Sequence, residues 1–301
     1  MSRHPILFFS VLFILRFVSG EGAATFSFVN HCGDTIWPGV LSSSGSSPLE
    51  STGFELAAGE SRSLYASSGW SGRFWARTGC VFDAYGNGSC GTGDCGTGRV
   101  ECAGSGAAPP ATLVEFTLGG EKDFYDVSLV DGYNLPVVVE AAGGECPSTG
   151  CLADINRRCP AELRAGDGAA CRSACDAFGQ PEFCCSGEFG NPQTCRPSAY
   201  AQMFKAACPR SYSYAFDDAT STFTCSAAGG AQAYSITFCP ESSTSQKSTK
   251  NNTPPKTGGE GEEEESWLAS LAIGNANPSR IARRKEIVYS IISLLLYFSL
   301  F

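Results

Sequence analysis

The sequence predicts a mainly β domain, a β-sandwich carrying an appended disulfide-rich lobe of loops and short helices. Three observations predict it. Short segments of alternating apolar and polar residues recur along the chain, separated by glycine-, serine- and proline-rich turns. All 16 cysteines fall between Cys32 and Cys239, so covalent bridges delimit the folded part. The domain they delimit, 24–240, about 215 residues, is long enough to bury a two-sheet core.

Period-two alternation marks strands at 25–30, 72–78, 112–118, 124–130, 135–141 and 233–239. Within 112–118 it sets Leu113, Glu115 and Thr117 on one face against Val114, Phe116 and Leu118 on the other. Asp126 and Ser128 likewise oppose Val127 and Leu129, while Arg73, Trp75 and Arg77 share a face. A helix is expected at 197–208, where Tyr200, Met203, Phe204 and Ala207 follow i, i+3, i+4, i+7 spacing and Pro197 suits the first turn. Residues 146–208 hold nine cysteines with little alternation, which makes them the loop-rich lobe.

The two ends read differently. Residues 1–23 open with Arg3 and His4, continue through an apolar run from Ile6 to Val18 broken by Ser10 and Arg16, and close on small residues. This is the layout of a secretory signal, with an apolar run too short for a membrane span. Beyond the domain, 24–240, residues 241–276 are rich in Ser, Thr, Pro and Glu and cannot bury a core, so they form a solvated stalk. Residues 277–301 are a polar basic spacer and a 15-residue apolar tail, 287–301. Small residues, a spacer and a terminal tail match a lipid-anchor (glycosylphosphatidylinositol) signal, with a short membrane span as the alternative. Attachment is expected at Asn275, within the window Gly274 to Ala276. The flexible stalk would then reach roughly 30 Å from the membrane. Two glycosylation sequons, at Asn87 and Asn251, fit this topology.

Composition excludes several chemistries. Between Ala24 and Pro240 stand 12 Lys and Arg against 22 Asp and Glu, a net charge of −10. A surface of that sign argues against nucleic acid and anionic lipid as partners. His31 is the one histidine left once residues 1–23 are removed. Nucleophilic triads and zinc catalysis both want histidine, so any catalysis must run on carboxylates. Gly86-Asn-Gly88-Ser-Cys-Gly91 spells a dinucleotide fingerprint but lies among cysteines outside any βαβ pattern, and there is no P-loop. Neither cofactor nor metal is expected. The spacings of Cys171 with Cys175 and of Cys184 with Cys185 are read as bridges, as an oxidising compartment favours.

Gly86-Asn-Gly-Ser-Cys90-Gly-Thr92-Gly93-Asp94-Cys95-Gly-Thr-Gly-Arg-Val-Glu-Cys102 resembles the signature of thaumatin-like proteins, the plant pathogenesis-related family of thaumatin and osmotin. The start Ala24-Thr25-Phe26 with Val29-Asn30 and Cys32 is similar to their mature N-terminus. Trp75-Ala-Arg77-Thr-Gly-Cys80, Asp126-Val-Ser-Leu-Val-Asp131-Gly-Tyr-Asn134, Cys184-Cys185 and Thr222-Phe223-Thr224-Cys225 extend the resemblance over 24–240. It implies a flattened β-sandwich, a disulfide-rich lobe and a small disulfide-held hairpin region. It also implies the pairs Cys32–Cys239, Cys80–Cys90, Cys95–Cys102, Cys146–Cys225, Cys151–Cys208, Cys159–Cys171, Cys175–Cys184 and Cys185–Cys195, a connectivity that cysteine counting cannot choose. Many antifungal members line a cleft with one arginine, one glutamate and three aspartates. The matching residues here are Arg73, Glu115, Asp126, Asp131 and Asp217, with Asp218 competing for the last place.

What the resemblance implies for function is a monomeric, secreted protein binding β-1,3-glucan or a related wall polysaccharide through that cleft. Carboxylates would accept hydrogen bonds from sugar hydroxyls, and Trp75, Tyr125 and Tyr133 are candidate stacking rings. One alternative is a weak endo-β-1,3-glucanase with Glu115 as general acid and Asp126 as partner carboxylate, since crowded carboxyls titrate apart. Another is a tethered interaction protein that makes no use of the cleft.

Overall fold

The computed structural model describes residues 24–142, 146–226 and 232–241. The expected signal, the lipid attachment at Asn275, the sequon at Asn251 and all of the stalk except Glu241 lie outside the described residues. The strands are β1 (Ala24–Asn30), β2 (Trp37–Ser42), β3 (Ser61–Ala66), β4 (Ser71–Arg77), β5 (Val81–Phe82), β6 (Gly88–Ser89) and β7 (Leu113–Thr117). They continue as β8 (Lys122–Ser128), β9 (Val137–Ala141), β10 (Thr149–Cys151), β11 (Arg164–Ala165), β12 (Ala170–Cys171), β13 (Phe223–Ser226) and β14 (Gln232–Phe238). The α-helices are α1 (Ala174–Phe178), α2 (Pro181–Cys184), α3 (Ala199–Ala207) and α4 (Asp218–Ser221).

Two five-stranded sheets form the sandwich, one in the order β10-β9-β14-β1-β3 and the other β13-β8-β7-β4-β2. Their strands pair antiparallel except at the middle of the first sheet, where the first and last strands of the domain run parallel from Ala24↔Gln232 to Asn30↔Phe238. Alternation drives the packing: β1 buries Phe26 and Phe28, β4 buries Phe74 and β7 buries Val114 and Phe116. Phe26 is the centre, its ring within 4.7–6.0 Å of those of Trp70, Phe74, Phe116 and Tyr234. Burying rings of this size contributes roughly 1.5–3 kcal/mol each.

Strands β2, β3, β10 and β13, and the two-residue strands β5, β6, β11 and β12, escape the sequence pattern. Trp37–Ser42 holds Pro38 and Gly39, which read as turn residues. Gly39 is needed because a Cβ there would fall on the indole of Trp75, across the sheet at the same register. Strand β3 is an edge strand whose solvent face is polar, so its apolar face is reduced to Leu64 and Ala66.

A second apolar cluster, with Leu129, Tyr133, Ile155, Leu163 and Phe204, organises the lobe around bridged cysteines. Helix α3 starts two residues later than its proline suggests: Ser198 is the cap, its hydroxyl accepting from the Ala201 N–H at 3.1 Å, and Pro197 lies outside. Its buried stripe runs through Ala201, Phe204 and Cys208, while Ala207 faces solvent, because the helix turns its face toward the bridge at Cys208. The eight bridges are Cys32–Cys239, Cys80–Cys90, Cys95–Cys102, Cys146–Cys225, Cys151–Cys208, Cys159–Cys171, Cys175–Cys184 and Cys185–Cys195.

A third, small core lies under the hairpin region: Trp75, Cys95, Cys102, Ala111 and Leu113. It covers the lower end of the same sheet face that carries Arg73 and Glu115. Arg77 is fully buried beneath it, its guanidinium donating to the carbonyls of Trp37, Arg99 and Val100. Asn134 closes the seam, accepting from Thr112 N–H and donating to the Ala76 carbonyl and Thr92 hydroxyl. These buried polar groups are fully used, which is what lets them sit in the interior.

Candidate functional site

Three adjacent strands of the second sheet bring the candidate side chains into one row. In register, Arg73 on β4 stands opposite Glu115 on β7, and Glu115 stands opposite Asp126 on β8. Their neighbours Phe74, Val114, Phe116, Tyr125 and Val127 all point into the core, so alternation turns the charged row outward. Cross-strand partners on one face lie roughly 4.5–5.5 Å apart at Cβ, close enough for their charges to interact strongly. The Arg73 guanidinium reaches Glu115 Oε1 at 3.4 Å. A groove of about 240 Å³ opens over the row.

The two carboxyls are not equivalent. Burial pushes Asp126 up to about 8 from an ordinary 3.8, the Glu115 charge adds to the rise and Arg73 opposes it. Its Oδ2 is buried and has no hydrogen-bond partner among the described residues. Glu115 is raised by burial too, with Arg73 pulling it down and Asp131 pushing it up. Of the pair, Asp126 is thus the carboxyl that burial drives most strongly toward its protonated form, while Glu115 is held beside the Arg73 guanidinium.

Asp131, in the turn after β8, contributes its charge to Glu115. Of the adjacent pair at the start of α4, Asp218 is the one whose charge is felt at Asp126, and it accepts from the Tyr212 hydroxyl at 2.7 Å. Asp217 is taken up elsewhere. Its Oδ2 binds Lys205 Nζ at 2.9 Å and accepts from both the N–H and the hydroxyl of Ser213. The geometry thus joins Arg73, Glu115 and Asp126 directly, adds Asp131 and Asp218 through their fields, and assigns Asp217 to a local ion pair.

The expected stacking rings are not in the groove. Trp75, Tyr125 and Tyr133 are all buried, at 1% exposure or less. Tyr125 sits on the core side of β8, Tyr133 donates to the Ala153 carbonyl inside the lobe, and Trp75 lies under the hairpin region donating to Gly93. Of the two aromatic residues that line the groove, Phe116 is buried and Phe124 is 46% exposed, so Phe124 offers its ring. Sequence reasoning missed it, although its position two residues before Asp126 places both on the same strand face. His31 lines a different groove, beside Val138, Glu140 and Arg210. Among the described residues no cluster of His, Cys, Asp and Glu is arranged to hold a metal, and Cys171, Cys175, Cys184 and Cys185 are all in disulfides.

Comparison with known proteins gives a consistent result. Residues 30–240 match the model of the thaumatin family. The chain is 57% identical over 255 residues to thaumatin-like protein 1 of Arabidopsis thaliana, covering 80% of this chain and 96% of that one. It is 59% identical over 227 residues to the pathogenesis-related thaumatin-like protein 3.5 of Cryptomeria japonica, covering 73% and 92%. A protein of Prunus avium named glucan endo-1,3-beta-glucosidase is 51% identical over 237 residues, covering 76% and 95%.

Proposed function

The chain belongs to the thaumatin family, and from that premise we propose that it recognises β-1,3-glucan through the row of Arg73, Glu115 and Asp126. The observation that carries this reading is the combination of that row with the exposed ring of Phe124 on the same strand face. Glu115 accepts hydrogen bonds from sugar hydroxyls, Asp126 as a neutral carboxyl donates one, and Arg73 donates others. Phe124 offers a flat apolar surface to the C–H face of a sugar ring. Asp131 and Asp218 bias the protonation of the row. Asp217 is left to hold the lobe.

Hydrolysis is the second reading, favoured by the inequivalence of the two carboxyls and consistent with the name of the Prunus avium relative. One protonated and one ionised carboxyl are what glycoside cleavage requires. The raised Asp126 is then the general acid and Glu115 its charged partner, the reverse of the roles that the sequence suggests. Eight disulfides require an oxidising compartment, which supports secretion. We infer that the protein lies outside the cell, tethered by lipid through the stalk. Release of full-length protein from plant membranes by a phosphatidylinositol-specific phospholipase tests the tether, and retention after treatment counts against it.

The test of the site is calorimetric titration of the purified protein with soluble β-1,3-glucan, following new reducing ends in the same sample. Binding weakened in Glu115→Gln and in Phe124→Ala supports recognition. Hydrolysis lost in Asp126→Asn with binding retained makes the protein an enzyme. No heat and no reducing ends at millimolar glucan would sink both readings.

A further inference from the structure

The hairpin built on β5 and β6 contains a feature that its own architecture does not require. The loop between them turns through a hydrogen bond from Gly86 N–H to the Asp83 carbonyl at 2.9 Å, with Gly86 at φ +76°. Asp83 N–H then donates to the Asn87 carbonyl at 2.8 Å, closing a three-residue loop with a bulge at the glycine. The Asp83 carboxylate locks this turn: one oxygen accepts from the backbone N–H of Tyr85 at 2.8 Å and of Asn87 at 2.9 Å. Gly88 cannot be replaced, because a Cβ there would collide with the Val81 carbonyl oxygen. The bridge Cys80–Cys90 staples the strands just beyond.

Each of these residues thus has a structural reason. Tyr85 has none. It is 84% exposed, and among the described residues its ring makes no aromatic contact and its hydroxyl no hydrogen bond. By contrast Phe82 on the same hairpin packs on Trp37, with ring centroids 5.9 Å apart. The Tyr85 ring is thus open to solvent on the tip that carries the sequon. Two residues on, Asn87 is exposed, begins the sequon Asn87-Gly88-Ser89, and turns its side-chain amide onto Asp83 at 3.2–3.3 Å. One carboxylate therefore gathers the ring-bearing residue and the acceptor amide at one tip.

We propose that Asn87 carries an N-linked glycan and that Tyr85 is the platform on which its first sugar stacks. The glycan comes from a lipid-diphosphate-linked oligosaccharide. The bond between sugar C1 and the diphosphate oxygen breaks, the C1–Nδ2 bond to Asn87 forms, Nδ2 gives up one proton, and the lipid diphosphate leaves. The remaining Nδ2–H stays on Asp83. The C–H face of the N-acetylglucosamine then covers the Tyr85 ring, whose negative face suits it. The otherwise exposed apolar surface of the tip is shielded by its own modification.

The test uses the full chain secreted from a eukaryotic host, with its Asn87 glycan trimmed to the first sugar. Peptide mapping should find hexosamine on Asn87. The acetyl methyl resonance of that sugar should be displaced upfield by the tyrosine ring current. That displacement should vanish in Tyr85→Ala and survive in Tyr85→Phe. If Tyr85→Ala is not secreted, Tyr85→Leu keeps the bulk and removes the ring. Bare Asn87 in the secreted wild type overturns the proposal, as does an acetyl methyl position unchanged when the ring is removed.

Discussion

Replacing Asp126 with asparagine should stabilise the domain at neutral pH and flatten its pH dependence. A carboxyl that titrates near 8 when folded and near 3.8 when unfolded binds its proton more tightly in the folded state. Folding is therefore helped by low pH, and stability declines as pH rises through the interval between those values. At about 1.4 kcal/mol per unit, the separation costs at most about 4 kcal/mol at pH 7. Relaxation of the groove and entry of water reduce this to about 2 kcal/mol. The asparagine amide would keep an N–H where the neutral acid has its O–H, so the change removes the titration and little else. For a domain of this size the gain corresponds to a rise of roughly 4–8 °C in Tm at pH 7. Thermal melts with the disulfides intact, from pH 5 to 8.5, make the comparison. Wild-type Tm should fall across that range while the variant stays nearly level. Two parallel curves would refute the placement of a buried proton on Asp126.

Three further outcomes follow from the geometry. Phe124→Ala should weaken β-1,3-glucan binding about tenfold in calorimetry, a loss of about 1.4 kcal/mol, with Tm unchanged within about 2 °C because the ring lies outside the core. Lys205→Ala removes the partner of Asp217 and the donors to the Ser211 carbonyl and Ser221 hydroxyl. It should cost about 2–3 kcal/mol in denaturant unfolding, more than an exposed pair such as Arg62 with Glu50, whose loss should change less than about 1 kcal/mol. Arg77→Met leaves the Trp37 and Val100 carbonyls without their donor and should cost at least about 3 kcal/mol, loosening the hairpin region first by amide hydrogen exchange.

Alternation in the sequence was sufficient to find the strands that carry the site, since β4, β7 and β8 each show one apolar face and one polar face. It failed at β2, where Gly39 serves a close approach of Trp75 and neither it nor Pro38 marks a turn, and at the polar edge strand β3. Alternation also assigns Glu115 and Asp126 to outward faces but says nothing of register, and register is what sets the two carboxyls side by side. The protonation of Asp126 depends on burial by neighbours distant in sequence, so it has no local signal. The rings were misjudged for a similar reason. Trp75 shares a face with Arg73, yet the hairpin region folds over one and leaves the other open. Phe124 was within reach of the pattern that placed Asp126. Asp217 is drawn to Lys205, a helix residue that sequence spacing does not connect to it.

The parallel pairing of β1 with β14 sets a timetable for the whole domain. The strand that emerges first from the ribosome has its central neighbour among the last residues made, with 207 positions between the bridged cysteines at their ends. Until β14 arrives, β1 has only the edge strand β3 beside it, and β9 has only β10. The first sheet therefore cannot close during synthesis, while the second, whose strands β2, β4, β7 and β8 are continuous in order, can assemble as it emerges. Cys32 meanwhile must wait, reduced or wrongly paired, through the appearance of every other cysteine. Maturation of this protein is thus a post-synthetic event, and its yield should be governed by thiol-exchange catalysts in the secretory compartment more than by the rate of translation.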